Sequence, residues 1–366
     1  MTFLKSFFLI VILLAAALFA FVKFHPVFGG VPDSASQARI AQSKAFNGKQ
    51  FENLEPTPLM VGEPVSKSEA LLKFLFRDNS KNPTEPLPTV KLDVSALKDN
   101  SAVWFGHSTV LFQMGGKRMI TDPVYHYASP VPFLVGKPFE MSNTPTIAEL
   151  PELDAVLISH DHYDHLDYKA IQEIDAKTKH FFVPLGVKAH LQRWGIADEK
   201  ITELDWHEQA KVGDVQLTYV PARHFSGRTL GAENPSLWGG YVIKSPDFSL
   251  YYSADSGYGK HFKEQIAQYG EFDFVMIENG AYNEKWALIH EMPEEAVRAV
   301  LDINSKRVMP IHWGKFDLSE HHWKEPVERF TQAAEKSGLD VATPRIGQVF
   351  DMQADLPKEK WWQSVK

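Results

Sequence analysis

The apolar positions of the chain begin with one unbroken run, from Phe7 to Val22, which lies between two lysines. With its neighbours this run approaches the roughly 20 residues that a helix needs to cross a bilayer. It predicts a membrane segment over residues 1–24, either an uncleaved anchor or a signal peptide that is cleaved near the alanines at 15–17. An anchor is favoured because the apolar run continues past those alanines. Either reading places the rest of a bacterial chain outside the cytoplasmic membrane, in the periplasm or beyond it.

Residues 25–95 are rich in Pro, Ser, Asn and Lys, and six prolines between positions 56 and 88 interrupt regular structure. Only Ser68 to Phe76 carries leucines at helical spacing, which predicts one helix in this region. The rest of the segment is predicted to wrap in an extended form around a single large domain, residues 96–366.

The pattern of that domain is one of short apolar runs that end in polar residues. A Gly115-Gly116 pair predicts a hairpin turn, and Asp167 is a plausible N-cap for a following helix. Strands that alternate with helices, and then form hairpins, indicate a layered α/β domain. Strands are predicted at 102–105, 109–114, 117–121, 154–158, 180–183, 201–204, 215–220, 250–253 and 308–311, and helices at 168–174 and 186–194.

A dense polar cluster follows the predicted strand at 154–158, where six consecutive positions include His160, His162, Asp164 and His165. So many titratable groups at the end of a buried strand need partners inside the protein, and a metal ion supplies them. A histidine-rich surface loop is the alternative. The spacing of His160 and His162 suits one metal, whereas Asp164 and His165 project differently and suit a second.

Three later apolar runs also end in residues that bind metals, namely His224, Asp255 and His312. A capping or surface role would explain any one of them, but not their coincidence with the first cluster. Together they predict a dinuclear site with two sets of ligands and a bridging carboxylate. The expected ligands are His160, His162 and His224 for one metal, Asp164, His165 and His312 for the other, and Asp255 between them.

Three further features permit two interpretations each. Asp122 either orients a metal ligand or belongs to an ordinary Asp-Pro turn. His107 either faces the same side as the histidine cluster or is a core imidazole whose hydrogen bonds are satisfied there. The apolar stretch from Tyr127 to Phe139 either contacts lipid or an acyl chain, or forms a core loop or a subunit contact, as in a homodimer.

The composition of the chain limits its possible partners and metal ligands. The 366 residues are 44% hydrophobic and 23% charged, with a net charge of −8, which gives no support to nucleic-acid binding. The chain has no cysteine, so disulfides and thiolate ligands are excluded, and any metal is held by imidazole and carboxylate. An imidazole-rich set favours zinc, with iron and manganese as alternatives.

The H-x-H-x-D-H motif at His160 to His165 resembles the hallmark of the metallo-β-lactamase superfamily. More narrowly, the chain resembles the N-acylphosphatidylethanolamine-hydrolysing phospholipase D family. The matching segments are 104–110, 154–168, 182–186, 203–206, 228–230, 237–239, 280–282, 290–298 and 311–314.

The resemblance implies an αββα sandwich with two metals at one edge of the sheets. It also implies a zinc-dependent phosphodiesterase that hydrolyses N-acylphosphatidylethanolamine, or a related phospholipid, to N-acylethanolamine and phosphatidic acid. His290 would lie beside the phosphodiester, and Asp164 and His290 are the expected catalytic residues. Phospholipid and the bilayer are therefore the expected partners.

Two positions depart from the family pattern. Glu278-Asn279 stands where an apolar pair is usual, and Lys315 stands where threonine is common. These changes leave the metal motif intact and bear on the substrate. A lactonase or sugar-phosphate lactone hydrolase on the same fold, or a membrane-anchored scaffold with a structural metal, are the alternative functions.

Overall fold

Two mixed β-sheets form the centre of the protein. The structure, a computed structural model, describes residues 2–62, 66, 78–132, 134–229 and 233–366, and the helix predicted at Ser68 to Phe76 lies outside these described residues. Within them the strands are β1 (Ser101–Trp104), β2 (Val110–Met114), β3 (Lys117–Thr121), β4 (Ala155–Leu157), β5 (Phe181–Pro184), β6 (Ile201–Leu204), β7 (Gln209–Val212), β8 (Val215–Pro221), β9 (Gly239–Lys244), β10 (Ser249–Tyr252), β11 (Phe274–Glu278), β12 (Arg307–Ile311), β13 (Asp340–Val341) and β14 (Val349–Asp351). The first sheet has the order β14-β1-β2-β3-β4-β5-β6, and the second has the order β13-β12-β11-β10-β9-β8-β7.

Four of the α-helices in the described chain cover the outer faces of the sheets. The α-helices are α1 (Thr2–Phe24), α2 (Ser34–Ile40), α3 (Tyr168–Ile174), α4 (Lys188–Arg193), α5 (Pro293–Asp302) and α6 (Glu325–Lys336). Helices α3 and α4 share a buried cluster with the first sheet, and α5 and α6 share another with the second. The resulting order of helix, sheet, sheet and helix confirms the predicted αββα sandwich.

Alternating side chains along each strand divide the core into layers. Ala102 and Trp104 of β1 belong to the buried cluster between the sheets, together with Tyr252 and Met309 of the second sheet, whereas Val103 belongs to the cluster under the outer helices. Successive residues of a strand face opposite sides, so each sheet is apolar on both faces. This double burial explains why the strands are short, nearly continuous apolar runs.

The N-terminal segment follows the surface of this sandwich, but it contains a helix that the pattern did not predict. Expecting no helix between residues 25 and 62 was wrong, because α2 forms there with Asp33 as its N-cap. Ser36 Oγ donates a hydrogen bond to Glu203 at 2.7 Å, and Ser43 Oγ donates to Asp205 at 3.0 Å. These contacts fasten the segment to the end of β6.

Helix α1 stands apart from the sandwich. Its stretch from Lys5 to Phe24 is long and apolar enough to cross a membrane, and none of it is buried against the protein. Length and composition are therefore those of an anchor or a signal sequence.

One edge of the sandwich collects the polar strand ends. Strands β3 and β4 run parallel, as do β10, β11 and β12. Their carboxyl ends therefore meet at the same edge, which is where the residues at or just after the end of each strand lie. Those residues are Asp122, the 159–165 loop, Asp255, Glu278 and His312.

Candidate metal centre

The first cluster consists of His160, His162, His224 and Asp255, whose donor atoms lie within 4.8 Å of one another. Nε2 of His160 is 2.9 Å from Nδ1 of His162, and Nε2 of His224 is 3.2 Å from the same atom. Oδ2 of Asp255 is 3.7 Å from Nε2 of His224. A metal ion held by several imidazoles requires ring nitrogens that converge in this way.

The second cluster consists of Asp164, His165 and His312, and it also uses Asp255. Oδ1 of Asp255 lies 3.1 Å from Nε2 of His165 and 3.0 Å from Nε2 of His312. Oδ2 of Asp164 lies 3.5 Å from both of these nitrogens. Asp255 thus turns one oxygen toward each cluster, the arrangement of a bridging carboxylate.

Several of these converging atoms lack a partner in the protein. Within the described residues, Nε2 of His165, Nε2 of His312 and Oδ1 of Asp255 are buried and make no hydrogen bond. Buried polar atoms are normally satisfied, so this group of orphaned donors and acceptors fits metal ions. The structure brings together all seven residues predicted as ligands, and both clusters are able to bind metal.

The ring orientations fit the same interpretation. Nδ1 of His224 donates to the carbonyl oxygen of Ile289 at 2.8 Å, which leaves a lone pair on its Nε2 toward the first cluster. Nδ1 of His160 lies 2.9 Å from Oγ of Ser159 and is held in the same way. Metal-binding histidines commonly engage their second nitrogen like this.

Asp122 lies directly behind the second cluster. Its Oδ2 is 2.7 Å from Nδ1 of His165, and it accepts 2.5 Å hydrogen bonds from the hydroxyls of Ser159 and Tyr252. Its Oδ1 accepts the backbone N–H of Ser159 at 2.8 Å. Of the two interpretations of Asp122, the geometry therefore supports the one in which it orients an imidazole.

His107 contacts the second cluster as well, since its Nε2 is 3.0 Å from Oδ2 of Asp164. Burial lowers the pKa of His107 to about 3, so the neutral ring donates this hydrogen bond. The residue is buried, as in the core interpretation, but its polar partner is Asp164. Nothing in its spacing to the 160–165 motif signalled that contact.

The backbone is strained at several points of this edge. His107, Asp122 and His312 have φ of 54°, 34° and 67°, in the left-handed region that costs residues other than glycine on the order of 1–3 kcal/mol. His107 N–H donates to the carbonyl of Trp313 at 2.8 Å, and His312 N–H donates back to His107 at 2.9 Å. Gly280 packs directly against this backbone, since a Cβ added to it would lie 1.9 Å from the carbonyl oxygen of His312.

His290 lies at the rim of the clusters, with its ring centroid 5.0 Å from that of His224. Its Nδ1 hydrogen-bonds to Oε1 of Glu278, a carboxyl group that is fully buried at the end of β11. Burial lowers the pKa of His290 to about 4 and raises the pKa of Glu278 well above its usual range. The sequence marked Glu278 only as a departure from the family pattern.

Lys315, the second departure, is also buried. Its Nζ donates to the carbonyl oxygens of Val124 at 2.6 Å and Phe105 at 3.2 Å. Burial lowers the pKa of this ammonium group to about 7. The side chain thus ties the loop after His312 to the strand ends of the first sheet.

The chain that leaves α1 is fastened to the loop that carries the metal-binding motif. Arg228 donates to the carbonyl of Val27 at 3.0 Å, and to the carbonyls of Asp161 and Leu166 at 2.7 and 2.9 Å. Gly30 N–H donates to Nδ1 of His190 at 2.9 Å. We call this set of contacts the anchor clamp.

Two cavities flank the anchor clamp. One of about 440 Å³ lies between the last turns of α1 and Asp161, and one of about 310 Å³ lies between Phe21, Tyr127 and Tyr163. The stretch predicted at 127–139 thus borders a cavity at the end of α1, although its Phe133 lies outside the described residues.

Comparisons with known proteins agree with this geometry. Residues 117–313 match the family described as a beta-lactamase superfamily domain. An uncharacterized protein of Mycobacterium tuberculosis is 39% identical over 342 residues, which cover 90% of this chain and 91% of that one. The N-acyl-phosphatidylethanolamine-hydrolyzing phospholipase D 1 of Caenorhabditis elegans is 29% identical over 310 residues, 78% of this chain and 86% of that one.

Among solved structures, isothiocyanate hydrolase from Delia radicum gut bacteria has a TM-score of 0.53 at 17% identity, covering 68% of this chain and 98% of that one. At that identity it shows the shared fold alone. The family match, the fold and the two His/Asp clusters lead to one conclusion: this chain belongs to the metallo-β-lactamase superfamily and is a metal-dependent hydrolase.

Proposed function

We propose that this protein is a membrane-anchored, dinuclear zinc phosphodiesterase of phospholipase D type. Its substrate is N-acylphosphatidylethanolamine or a related phospholipid, which it cleaves to N-acylethanolamine and phosphatidic acid. The observation that carries the proposal is the sharing of Asp255 between two clusters of buried, otherwise unsatisfied donors.

The chemistry of the bound ions is simple: two adjacent divalent metals supply an ionised water near neutral pH and polarise a phosphoryl oxygen. His160, His162 and His224 would hold one ion, and Asp164, His165 and His312 the other. Asp255 would fix the distance between the two ions, which is typically about 3.5–4 Å in two-metal sites.

Other features of the site concern the entry and binding of the substrate. His162 and Asp164 are partly exposed while the ligands behind them are buried, so a phosphodiester reaches the site from their side. Asp164 combines metal binding with a position at this entrance, where it orients the reacting water. His290, at the rim, can donate a hydrogen bond or a proton to a phosphate oxygen.

Two features support a lipid substrate. The nematode relative is a phospholipase that hydrolyses N-acylphosphatidylethanolamine, and this chain resembles it over most of its length. In addition, the anchor clamp holds the metal-binding loop beside the end of an apolar helix, next to a cavity of about 310 Å³. With α1 in a bilayer, this arrangement would hold the site close to the membrane surface.

The test combines metal analysis with product identification. The full chain in detergent, loaded with zinc, is given a panel of phospholipids, bis(p-nitrophenyl) phosphate and acyl lactones, and products are identified by mass spectrometry. We expect two zinc ions per chain and release of N-acylethanolamine with phosphatidic acid. Turnover of lactones alone, or release of a fatty acid or diacylglycerol instead, would overturn the proposal.

A further inference from the structure

Glu278 is buried beside the second cluster without being one of the predicted ligands. It ends β11, and its exposed fraction is 0%. A carboxyl group removed from water in this way is costly unless it is hydrogen-bonded or paired. Its partners therefore indicate why the chain has glutamate here.

Two of those partners are imidazoles of the site. Oε1 hydrogen-bonds to Nδ1 of His290 and lies 3.7 Å from Nδ1 of His312. Oε2 accepts the backbone N–H of Ser256 at 2.7 Å, and the backbone N–H of Glu278 donates to Oγ of Ser253 at 2.9 Å. The carboxyl group is thus fixed on both sides, with one oxygen between the two rings.

This arrangement determines which atom of His290 faces the substrate. The hydrogen bond with Glu278 engages Nδ1, the inner nitrogen of the ring. Nε2 is therefore the nitrogen that remains for a partner outside the protein. Nε2 makes no hydrogen bond to the described residues, and the side chain is 12% exposed. Nε2 is therefore the atom through which the ring can contact a phosphoryl oxygen of the substrate.

We propose that Glu278 is a positioning residue for the hydrolysis: it holds the ring of His290 with Nε2 toward the phosphodiester. This inference rests on the proposed function. It assigns to an unusual residue of this chain a role that is separate from metal binding. An orienting partner of this kind typically contributes about 10–100-fold to activity.

The kinetic test is a double-mutant cycle on the zinc-loaded full chain. Glu278→Ala and His290→Ala should each lower kcat on the phosphodiester about 10–100-fold, with a smaller change in KM. The double variant should lose no more than His290→Ala alone, because Glu278 acts through that ring. Glu264→Gln, an exposed residue on the surface, is the matched control and should retain wild-type kcat.

A second measurement needs no substrate. The hydrogen bond between Glu278 and His290 should give a low-field proton resonance that disappears in both Glu278→Ala and His290→Ala. Zinc content is measured on the same samples and should stay at two ions per chain. Glu278→Gln, which keeps the size of the side chain, should recover part of the kcat lost in Glu278→Ala.

The outcomes separate this inference from the proposed function. A wild-type protein that turns over no phosphodiester defeats the proposed function and this role with it. If the wild type is active, three results would overturn the positioning role alone. Glu278→Ala could have the kcat of the wild type, or the losses of the two single variants could multiply in the double variant. Glu278→Ala could also lose zinc and regain activity when zinc is added. In the last case Glu278 is a metal ligand.

Discussion

The first and second clusters share Asp255 but differ in the groups behind their imidazoles. In the first, Nδ1 of His224 is engaged by a neutral oxygen, the carbonyl of Ile289, at 2.8 Å. In the second, Nδ1 of His165 lies 2.7 Å from the carboxylate of Asp122. A carboxylate partner makes a ligating imidazole more basic than a neutral one does. We therefore expect the second cluster to hold its metal more tightly.

The largest effect should come from the residue that both clusters share. Asp255→Asn removes the charge from the bridging carboxylate, so activity on the phosphodiester should fall below about 1% of wild type. The fold should persist, which circular dichroism can check. Asp355→Asn, at an exposed site beyond β14, is the control. Full activity in Asp255→Asn would contradict the bridging role.

The next effect separates the two clusters. Asp122→Asn should weaken metal binding at the second cluster about 10–100-fold, because His165 loses its charged partner. Ser159→Ala removes a neutral hydroxyl that lies 2.9 Å from Nδ1 of His160 and donates to Asp122, so each cluster should lose less affinity than the second cluster loses in Asp122→Asn. Zinc titrations of both variants measure the two affinities. Equal losses would show that the charge of the partner is unimportant.

Chelation should reveal the same difference in metal affinity between the two clusters in the wild type. As a chelator is added, the first cluster should lose its metal before the second, so zinc should leave in two steps. Each step can be followed by the zinc content of the desalted protein and by its activity. Activity should fall with the first step, since the reaction needs both ions. Loss of both ions in one step would remove the proposed asymmetry.

The smallest effect concerns the buried amine of Lys315, in the loop that follows His312. Lys315 has a pKa of about 7 in the folded protein, against roughly 10.4 for an unperturbed lysine. Between these values the unfolded chain binds a proton that the folded chain lacks. The free energy of unfolding therefore rises with pH in this window.

Lys315→Met should abolish that rise. Urea unfolding of wild type and variant at pH 7, 8 and 9 measures the difference, which should grow in favour of the wild type as pH increases. Parallel curves for the two proteins would show that Lys315 keeps its charge when buried.

Much of the fold follows from local pattern. Strands β3 and β6 and helix α3 have the predicted bounds, and Asp167 accepts hydrogen bonds from the N–H groups of Lys169 and Ala170 as the predicted N-cap. The end of a strand that is apolar on both faces can be located in the sequence, because the apolar run stops at a polar residue. That is why residues from five strand ends could be assigned to one site.

Other elements carry no such local signal. Strand β9 begins with two glycines, and α6 mixes charged residues with few apolar ones, so neither was predicted. The contacts of His107 with Asp164, and of Glu278 with His290, join residues far apart in the chain. Such pairs depend on left-handed backbone and strand order, which no spacing in the sequence encodes.

The anchor clamp has a mechanical consequence. Arg228 connects the carbonyl of Val27, three residues past α1, with two carbonyls of the loop that bears His162 and Asp164. With α1 in a bilayer, a change in the tilt of the helix would reach this loop in part through the guanidinium group of Arg228. Vesicles whose lipids differ only in acyl length should then support different turnover rates, and Arg228→Met should reduce that difference.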